Sequence, residues 1–339
     1  MFNLFLYFTT FAAAFAITLI LMPLLRKFLF RWLKDTPTAR KNHQGIIPLT
    51  GGFAIIAGFT LSLLLIRLLT NFPSGTLHNL RGIFIGGCLV FGIGLWDDMT
   101  KPEGLNPYVK LLFQIAGAFA LIHYDIMVHF LPAPYNYIIT VLWVVGLTNA
   151  FNLIDIMDGL AVSQACLASF ALWIIALPSE FYYVNFAASA LLGACLAFWP
   201  FNHSEKYKTF LGDSGSTMLG FLLSAAALGT NYSASNDMGV FVPLLILAVP
   251  IFDTAFVSVI RLAKGISPLR ATPDHYPLRM LRAGFKKTTI LLLSIIVAAV
   301  YDLLAFFITK TTSGISLAIY LVIFAAMLGL AVLLKVKTD

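Results

Sequence analysis

The sequence predicts an all-α polytopic membrane protein with about eleven transmembrane helices. Its N-terminus is expected outside, its C-terminus in the cytoplasm and its active site on the cytoplasmic face. Three observations predict this. Of 339 residues, 60% are hydrophobic and only 11% are charged, more apolar surface than a soluble chain can bury. Long apolar runs recur along the chain. The basic residues then fall in alternate gaps between those runs, as the positive-inside rule requires.

The candidate spans are 4–25, 48–70, 82–96, 107–130, 136–150, 158–178, 182–200, 214–232, 240–262, 288–309 and 315–336. The third and fifth are short for a bilayer, so tilting or a break is expected there. No gap is long enough for a soluble domain, and no tandem repeat is evident. A single integral membrane domain over 1–339 is therefore expected. Met1 to Phe30 has neither a basic start nor a small-residue cleavage site, so no cleaved leader is expected. Cys88, Cys166 and Cys195 lie in apolar runs and read as small buried hydrophobes.

Lys and Arg test the count. Alternate loops, together with the tail, collect 19 of the 22 basic residues. Only Arg67, Arg81 and Lys310 fall on the other side. A wrong count would scramble this parity. It also accounts for the net charge of +7 without nucleic acid as a partner.

The same parity sorts the acids. Asp97 and Asp98 end the third span, Asp155 and Asp158 lie between the fifth and sixth, and Asp213 precedes the eighth. All five fall on the cytoplasmic side. Asp253 lies inside the ninth span, in its cytoplasmic half. An acid at a helix start can simply cap it. That reading suits Asp213, and Asp158 fairly well. It suits Asp97 and Asp98 poorly, because they sit at the C-terminal end of their own helix, where the dipole disfavours negative charge. An ionisable group at membrane depth is costly and points to function.

In NAFNLIDIMDGLA, Asn149, Asn152, Asp155 and Asp158 recur every third residue, with Gly159 after them. A broken or tightened segment would align them better than a regular helix. Carboxylates converging at a bilayer surface call for a hard cation, Mg²⁺ or Mn²⁺, and through it a phosphate-bearing substrate. Asn149 and Asn152 can donate to phosphate or a nucleotide. Two loops add cations. DTPTARKNHQGIIPLTGG carries Lys41 and His43, and ISPLRATPDHYPLRMLRAGF carries His275, Arg279 and further arginines.

Taken in order, DTPTARKNHQGIIPLTGGFAI, LWDD, NAFNLIDIMDGLA, FLGDSGST and the ISP…RAGF loop cover nearly the whole chain. In these motifs the chain resembles the polyprenyl-phosphate N-acetylhexosamine-1-phosphate transferases (glycosyltransferase family 4), closer to the WecA type than to the related MraY type. The resemblance implies transfer of a sugar 1-phosphate, GlcNAc-1-phosphate first among the candidates, from a UDP-sugar to undecaprenyl phosphate. UMP is released, and the lipid-diphosphate-sugar product initiates cell-envelope glycans such as O-antigen. It also implies Mg²⁺ dependence and a bacterial inner-membrane location; a homodimer is one assembly open to it. Asp97 and Asp98 match the family's paired aspartates, proposed as the base or lipid-phosphate site and as neighbours of the metal. Asn152, Asp155 and Asp158 match its nucleotide- and metal-site motif, and Asp213 its metal-binding aspartate. By the same resemblance Asp97, Asp98, Asp155 and Asp158 form the catalytic set, with Asp98, Asp155 and Asp213 nearest the metal. Lys110, Lys41 with His43, and Asn202 match substrate-side positions. The chain departs from the family pattern twice. Ile156 stands where Gly is common, and the usual His-x-His-His run keeps only His275, with Arg279 a candidate to supply the missing phosphate charge. Donors left open are another UDP-HexNAc and UDP-MurNAc-pentapeptide. Outside enzymes, an ion-coupled transporter is the rival. It predicts acids near the midplane in both halves of a repeat.

Overall fold

The computed structural model describes residues 2–36, 45–178, 182–233, 236–268, 270 and 272–338. Lys41 and His43 lie outside the described residues. The chain divides into two compact units, residues 1–230 and 231–339.

Among its described residues the first unit is a bundle of eight helices. They are α1 (Phe2–Leu29), α2 (Gly51–Leu69), α3 (Thr76–Met99), α4 (Pro107–His123), α5 (Tyr135–Ile154), α6 (Leu160–Ala176), α7 (Tyr182–His203) and α8 (Gly212–Leu228). Two short antiparallel strands, β1 (Lys34–Asp35) and β2 (Ile47–Pro48), precede α2. The centre of this unit is α8, which packs against α3, α5 and α2. Glycines make that contact close. A Cβ on Gly94 of α3 would lie 2.7 Å from the Ser214 Cα, and one on Gly220 would lie 2.4 Å from the Leu147 carbonyl oxygen. With no hydrophobic drive between helices in lipid, such small-residue contacts let backbones approach and gain dispersion energy. The segment before α8 is fixed as well. Gly51 and Gly52 N–H donate to the carbonyls of Phe210 and Leu211, both at 3.0 Å, and Phe210 N–H donates to Pro48 at 2.9 Å.

The second unit holds α9 (Val242–Ile246), α10 (Ala248–Ala263), α11 (Tyr276–Arg282), α12 (Lys287–Ile308) and α13 (Ser313–Thr338), with a 3₁₀ turn at Asp237–Phe241. The 3₁₀ turn with α9 forms one arm and α10 the other, bent by 76° at Leu247. Pro250 explains the break. It has no N–H for the Ile246 carbonyl, and its ring crowds that carbonyl.

Among the described residues seven helices are long and apolar enough to cross a membrane, or eight if the bent pair is one span. The chain is thus a helical, polytopic membrane protein. Each of the eleven expected segments contains a helix, but the short ones are not those expected. The third and fifth segments are α3 and α5, of 24 and 20 residues. Instead α4, α6 and α8 have 17 residues each, and the ninth segment is the broken one. The window 82–96 missed the polar ends of α3, which starts at Thr76 and runs through Asp97 and Asp98 to Met99, and the window 136–150 stopped short of the end of α5 at Ile154.

Candidate active site

In the first unit, the C-terminal ends of α3 and α5 meet the N-terminal end of α8. Asp98 makes the joint. Leu211 precedes α8 and supplies no side-chain cap. Asp98 supplies it from α3. Its Oδ1 accepts Asp213 N–H at 2.9 Å, and its Oδ2 accepts Ser214 N–H at 2.9 Å and the Ser214 hydroxyl at 2.7 Å. Lys101 adds a fourth donor to Oδ1 at 2.8 Å. These are helix-start N–H groups that otherwise lack partners, and the carboxylate meets the positive end of the α8 dipole. Gly212 is part of the same fit. Its φ is +77°, and a Cβ there would sit 2.6 Å from Asp98 Oδ2. Only glycine accepts both conditions cheaply.

Asp213 lies between two ammonium groups. Lys101 reaches its Oδ1 at 2.9 Å and Lys110 its Oδ2 at 2.6 Å. Lys110 also touches Asp97 Oδ2 at 3.2 Å, and Asp97 Oδ1 accepts Leu105 N–H at 2.7 Å. Burial works against the charge on Lys101, but the carboxylates of Asp213 and Asp98 outweigh it and hold the ammonium well above the ordinary lysine range.

Asp155 and Asp158 follow α5, on the turn that leads into α6. The expected break in the ladder is there: α5 ends at Ile154, and Gly159, with φ of +80°, starts α6. Asp158 pairs with Lys208 at 2.6 Å. Asp155 has no hydrogen-bond partner among the described residues. Burial first, then the negative charge of Asp213, push its carboxyl up to about 7; Lys101 opposes this, and Asp158 and Asp98 add to it.

The three asparagines differ. Asn152 Oδ1 accepts the Ser216 hydroxyl at 2.8 Å. Asn149 Nδ2 donates to Gln114 Oε1 at 2.7 Å and to the Val145 carbonyl at 2.8 Å, which ties α5 to α4. Asn202 is buried. Its Oδ1 accepts Gly159 N–H at 2.6 Å and its Nδ2 donates to the Thr209 carbonyl at 3.0 Å. It therefore positions the turn carrying Asp158 and the segment carrying Lys208.

The structure thus gathers Asp97, Asp98, Asp155, Asp158, Asp213, Lys110 and Asn152 into one electrostatic cluster, with Asn149 and Asn202 as struts beside it. Sequence reading missed Lys101 and Lys208 as site residues, having counted them only for topology. Lys101 was legible, three residues after Asp98 at a helix end. Lys208 was not, since it meets Asp158 across 50 positions.

Five carboxyl groups share three ammonium partners, so the acids of the cluster outnumber its bases. That excess, and the unpartnered Asp155 carboxyl, fit a divalent cation with oxygen ligands. No three acidic, His or Cys groups among the described residues already surround one ligand position.

The second unit holds His275 and Arg279. The guanidinium of Arg279 is fully buried. It donates to Asp274 Oδ1 at 2.8 Å, reaches the Leu334 carbonyl at 3.4 Å and lies 5.6 Å from the Phe256 ring centroid. Expected as a phosphate ligand, it is instead engaged inside the unit. Asp274 is held below the usual carboxylate range because its bonds to Lys264, Arg279 and Thr272 outweigh the burial that would raise it.

Residues 80–231 match the family model described as glycosyl transferase family 4. A phospho-N-acetylmuramoyl-pentapeptide-transferase of Limosilactobacillus fermentum is 34% identical over 65% of this chain and 73% of its own. The chain belongs to glycosyl transferase family 4. Its relatives include a probable undecaprenyl-phosphate N-acetylglucosaminyl 1-phosphate transferase of Bacillus subtilis, 28% identical over 91% of this chain and 87% of the relative. The Escherichia coli K12 undecaprenyl-phosphate alpha-N-acetylglucosaminyl 1-phosphate transferase is 28% identical over 79% of this chain and 74% of its own. The family match, 80–231, takes in α3 through α8 and so every member of the carboxylate–lysine cluster.

Proposed function

We propose that this family 4 transferase moves N-acetylglucosamine 1-phosphate from UDP-GlcNAc to undecaprenyl phosphate and releases UMP. The observation that carries this reading is the lysine-bridged carboxylate cluster where α3, α5 and α8 meet. A lipid phosphate oxygen attacks the β-phosphorus of the donor. The bond from that phosphorus to the bridging oxygen breaks, and the electron pair leaves with UMP. An ionised phosphate is already a nucleophile, so the protein's main tasks are positioning and charge neutralisation.

The chain's own residues suit those tasks. Lys101 and Lys110 are ammonium groups held beside Asp213, able to exchange a carboxylate for a phosphate oxygen as substrate enters. Asn152 keeps its amide N–H groups for the donor. Asp98 and Asn202 hold the helix start and the turn that carry the other groups. Asp98, expected near the metal, has both oxygens engaged by the start of α8 and by Lys101, so Asp97, Asp155 and Asp213 are the acids on which a cation would bind. When bound, Mg²⁺ or Mn²⁺ would neutralise diphosphate charge and favour departure of UMP. The positive-inside parity supports a cytoplasmic site in the bacterial inner membrane, with eleven spans, the N-terminus outside and the C-terminus inside.

A second donor deserves the same test. The Limosilactobacillus relative, at 34% identity, is named for a phospho-N-acetylmuramoyl-pentapeptide substrate. Purified protein given undecaprenyl phosphate, Mg²⁺ and one UDP-sugar at a time should release UMP with UDP-GlcNAc, and EDTA should abolish it. Release with UDP-MurNAc-pentapeptide alone would change the donor. No release from folded protein with any donor would remove the reading.

A further inference from the structure

Gln114 lies on α4 with almost no exposed surface. A primary amide in an apolar helix is costly unless its hydrogen bonds are made. One residue of α5 makes them. Asn149 Nδ2 donates to Gln114 Oε1 at 2.7 Å, and Gln114 Nε2 donates back to Asn149 Oδ1 at 3.3 Å. The second Nδ2 proton goes to the Val145 carbonyl at 2.8 Å. Both amide protons of Asn149 are thus engaged inside the protein, and neither is left for a phosphate or a nucleotide. Among the described residues, the Gln114–Asn149 bonds are the only hydrogen bonds that join α4 to α5.

The place of this amide pair matters. Lys110 and Gln114 are four apart on α4, and Asn149 and Asn152 are three apart on α5, so each member shares a helix face with a residue of the cluster. At 1.5 Å per residue the pair lies about 6 Å along α4 from Lys110 and about 4.5 Å along α5 from Asn152. Beyond the pair, α4 rests closely on α3. A Cβ on Gly117 would lie 3.0 Å from Val90 Cγ2, and one on Gly86 would lie 2.8 Å from the Gly117 carbonyl oxygen. That contact is a fulcrum. The first turns of α4 reach past it as a short lever, with Lys110 near its end against Asp213 and Asp97. Toward α3 the lever is held by Leu105 N–H on Asp97 Oδ1. Toward α5 the amide pair holds it.

We propose that Gln114 is a positioning residue: paired with Asn149, it fixes the spacing between Lys110 on α4 and Asn152 on α5, the two groups that meet the substrates. This rests on the transferase reading above. The contrary account is that Asn149 is itself a substrate ligand and Gln114 only fills the core.

The two accounts separate in a double-mutant cycle on the full chain in detergent, read as UMP release with UDP-GlcNAc and undecaprenyl phosphate varied separately. Gln114→Met keeps the volume and removes both bonds of the pair, while Asn149 keeps Val145. It should lower kcat about 10- to 100-fold with both substrates saturating, since a misplacement of about 1 Å costs about 100-fold. Lys110 and Asn152 are then still present but misaligned. Asn149→Leu should lose the same factor, and the double variant no more than either. Wild-type kinetics for Gln114→Met, or a double variant whose loss is the product of the two single losses, would overturn the proposal.

The double variant leaves no amide of the pair without its partner, which stability tolerates better than the loss of one member. Should a single variant lower the yield of monodisperse protein, the double variant carries the test through spin labels. Tyr108→Cys on α4 and Leu142→Cys on α5 take the labels at exposed positions, with the exposed Cys88 changed to Ser. The distance between the labels should shift or broaden relative to labelled protein that keeps the pair, and an unchanged distance would overturn the proposal. A wild-type enzyme that releases no UMP with any donor would instead defeat the transferase reading, and the label distances would still decide whether the pair holds α4.

Discussion

If Asp98 is the cap of α8, its removal must cost stability as well as activity, and more stability than removal of its neighbour. Asp98→Ala leaves the N–H groups of Asp213 and Ser214 and the Ser214 hydroxyl without their acceptor. Loss of a helix cap costs about 1 kcal/mol, and each buried donor left unpaired about 1–3 kcal/mol. These contributions overlap, so about 3–5 kcal/mol is the expected total. Lys101 adds little, because it keeps Asp213 at 2.9 Å. Asp98→Asn keeps one acceptor oxygen and should cost about 1–2 kcal/mol. Asp97→Ala frees only Leu105 N–H and one of the two contacts of Lys110, again about 1–2 kcal/mol. The order of apparent melting midpoints in one detergent should therefore be wild type, then Asp98→Asn and Asp97→Ala together, then Asp98→Ala. UMP release should be lowest in Asp98→Ala, since Asp213 is the first residue its carboxylate holds. An Asp98→Ala protein that melts like wild type yet has no activity would refute the argument and make Asp98 a participant in the chemistry.

Three further outcomes follow from the same geometry. Gly212→Ala should lose about 2–4 kcal/mol, from a left-handed backbone and a methyl driven against Asp98, and its melting midpoint should recover in part when combined with Asp98→Ser. Asn202→Ala leaves Gly159 N–H and the Thr209 carbonyl unpaired in the interior, a cost of about 2–4 kcal/mol; kinetics should also show weaker donor binding as Asp158 and Lys208 lose their register. Asp155 gives a pH test. Its carboxyl ionises near 3.8 when free and near 7 in the folded protein, so the native state holds an extra proton between those values. Stability present below about pH 4 is then lost as pH rises toward about 7, up to about 4 kcal/mol, an upper limit for a half-buried group. Melting of the wild type in EDTA should fall across that window while Asp155→Asn stays flat; parallel profiles would remove Asp155 as the source.

The part of the site that was legible in the sequence, and the part that was not, divide along a physical line. Hydropathy depends on local composition, so the long apolar helices could be read off, while α11, inside a polar basic stretch, could not. The acids Asp97, Asp98, Asp155, Asp158 and Asp213 stood out for a similar reason: charge is conspicuous against lipid-like sequence. Their partners were less visible. Asp98 was set against a capping role because it ends its own helix, where a negative charge is disfavoured. That objection is sound for α3 and irrelevant to α8, whose first N–H groups Asp98 accepts from 115 and 116 positions away. Arg279 was read as a phosphate ligand because it follows the one histidine kept from the family's run and an arginine fork suits phosphate. The seven-residue helix α11 instead turns it inward onto Asp274 and Phe256. In both cases the residue stood out in the sequence and its partner did not, because the partner is fixed by tertiary packing. Gly212 shows what would have helped. A glycine directly before an acid at a helix start, with no Ser, Thr, Asp or Asn in the capping position ahead of it, leaves that helix without its own cap. The missing acceptor must come from elsewhere, and the adjacent aspartates ending another helix at the same membrane surface were the group in the sequence best placed to supply it.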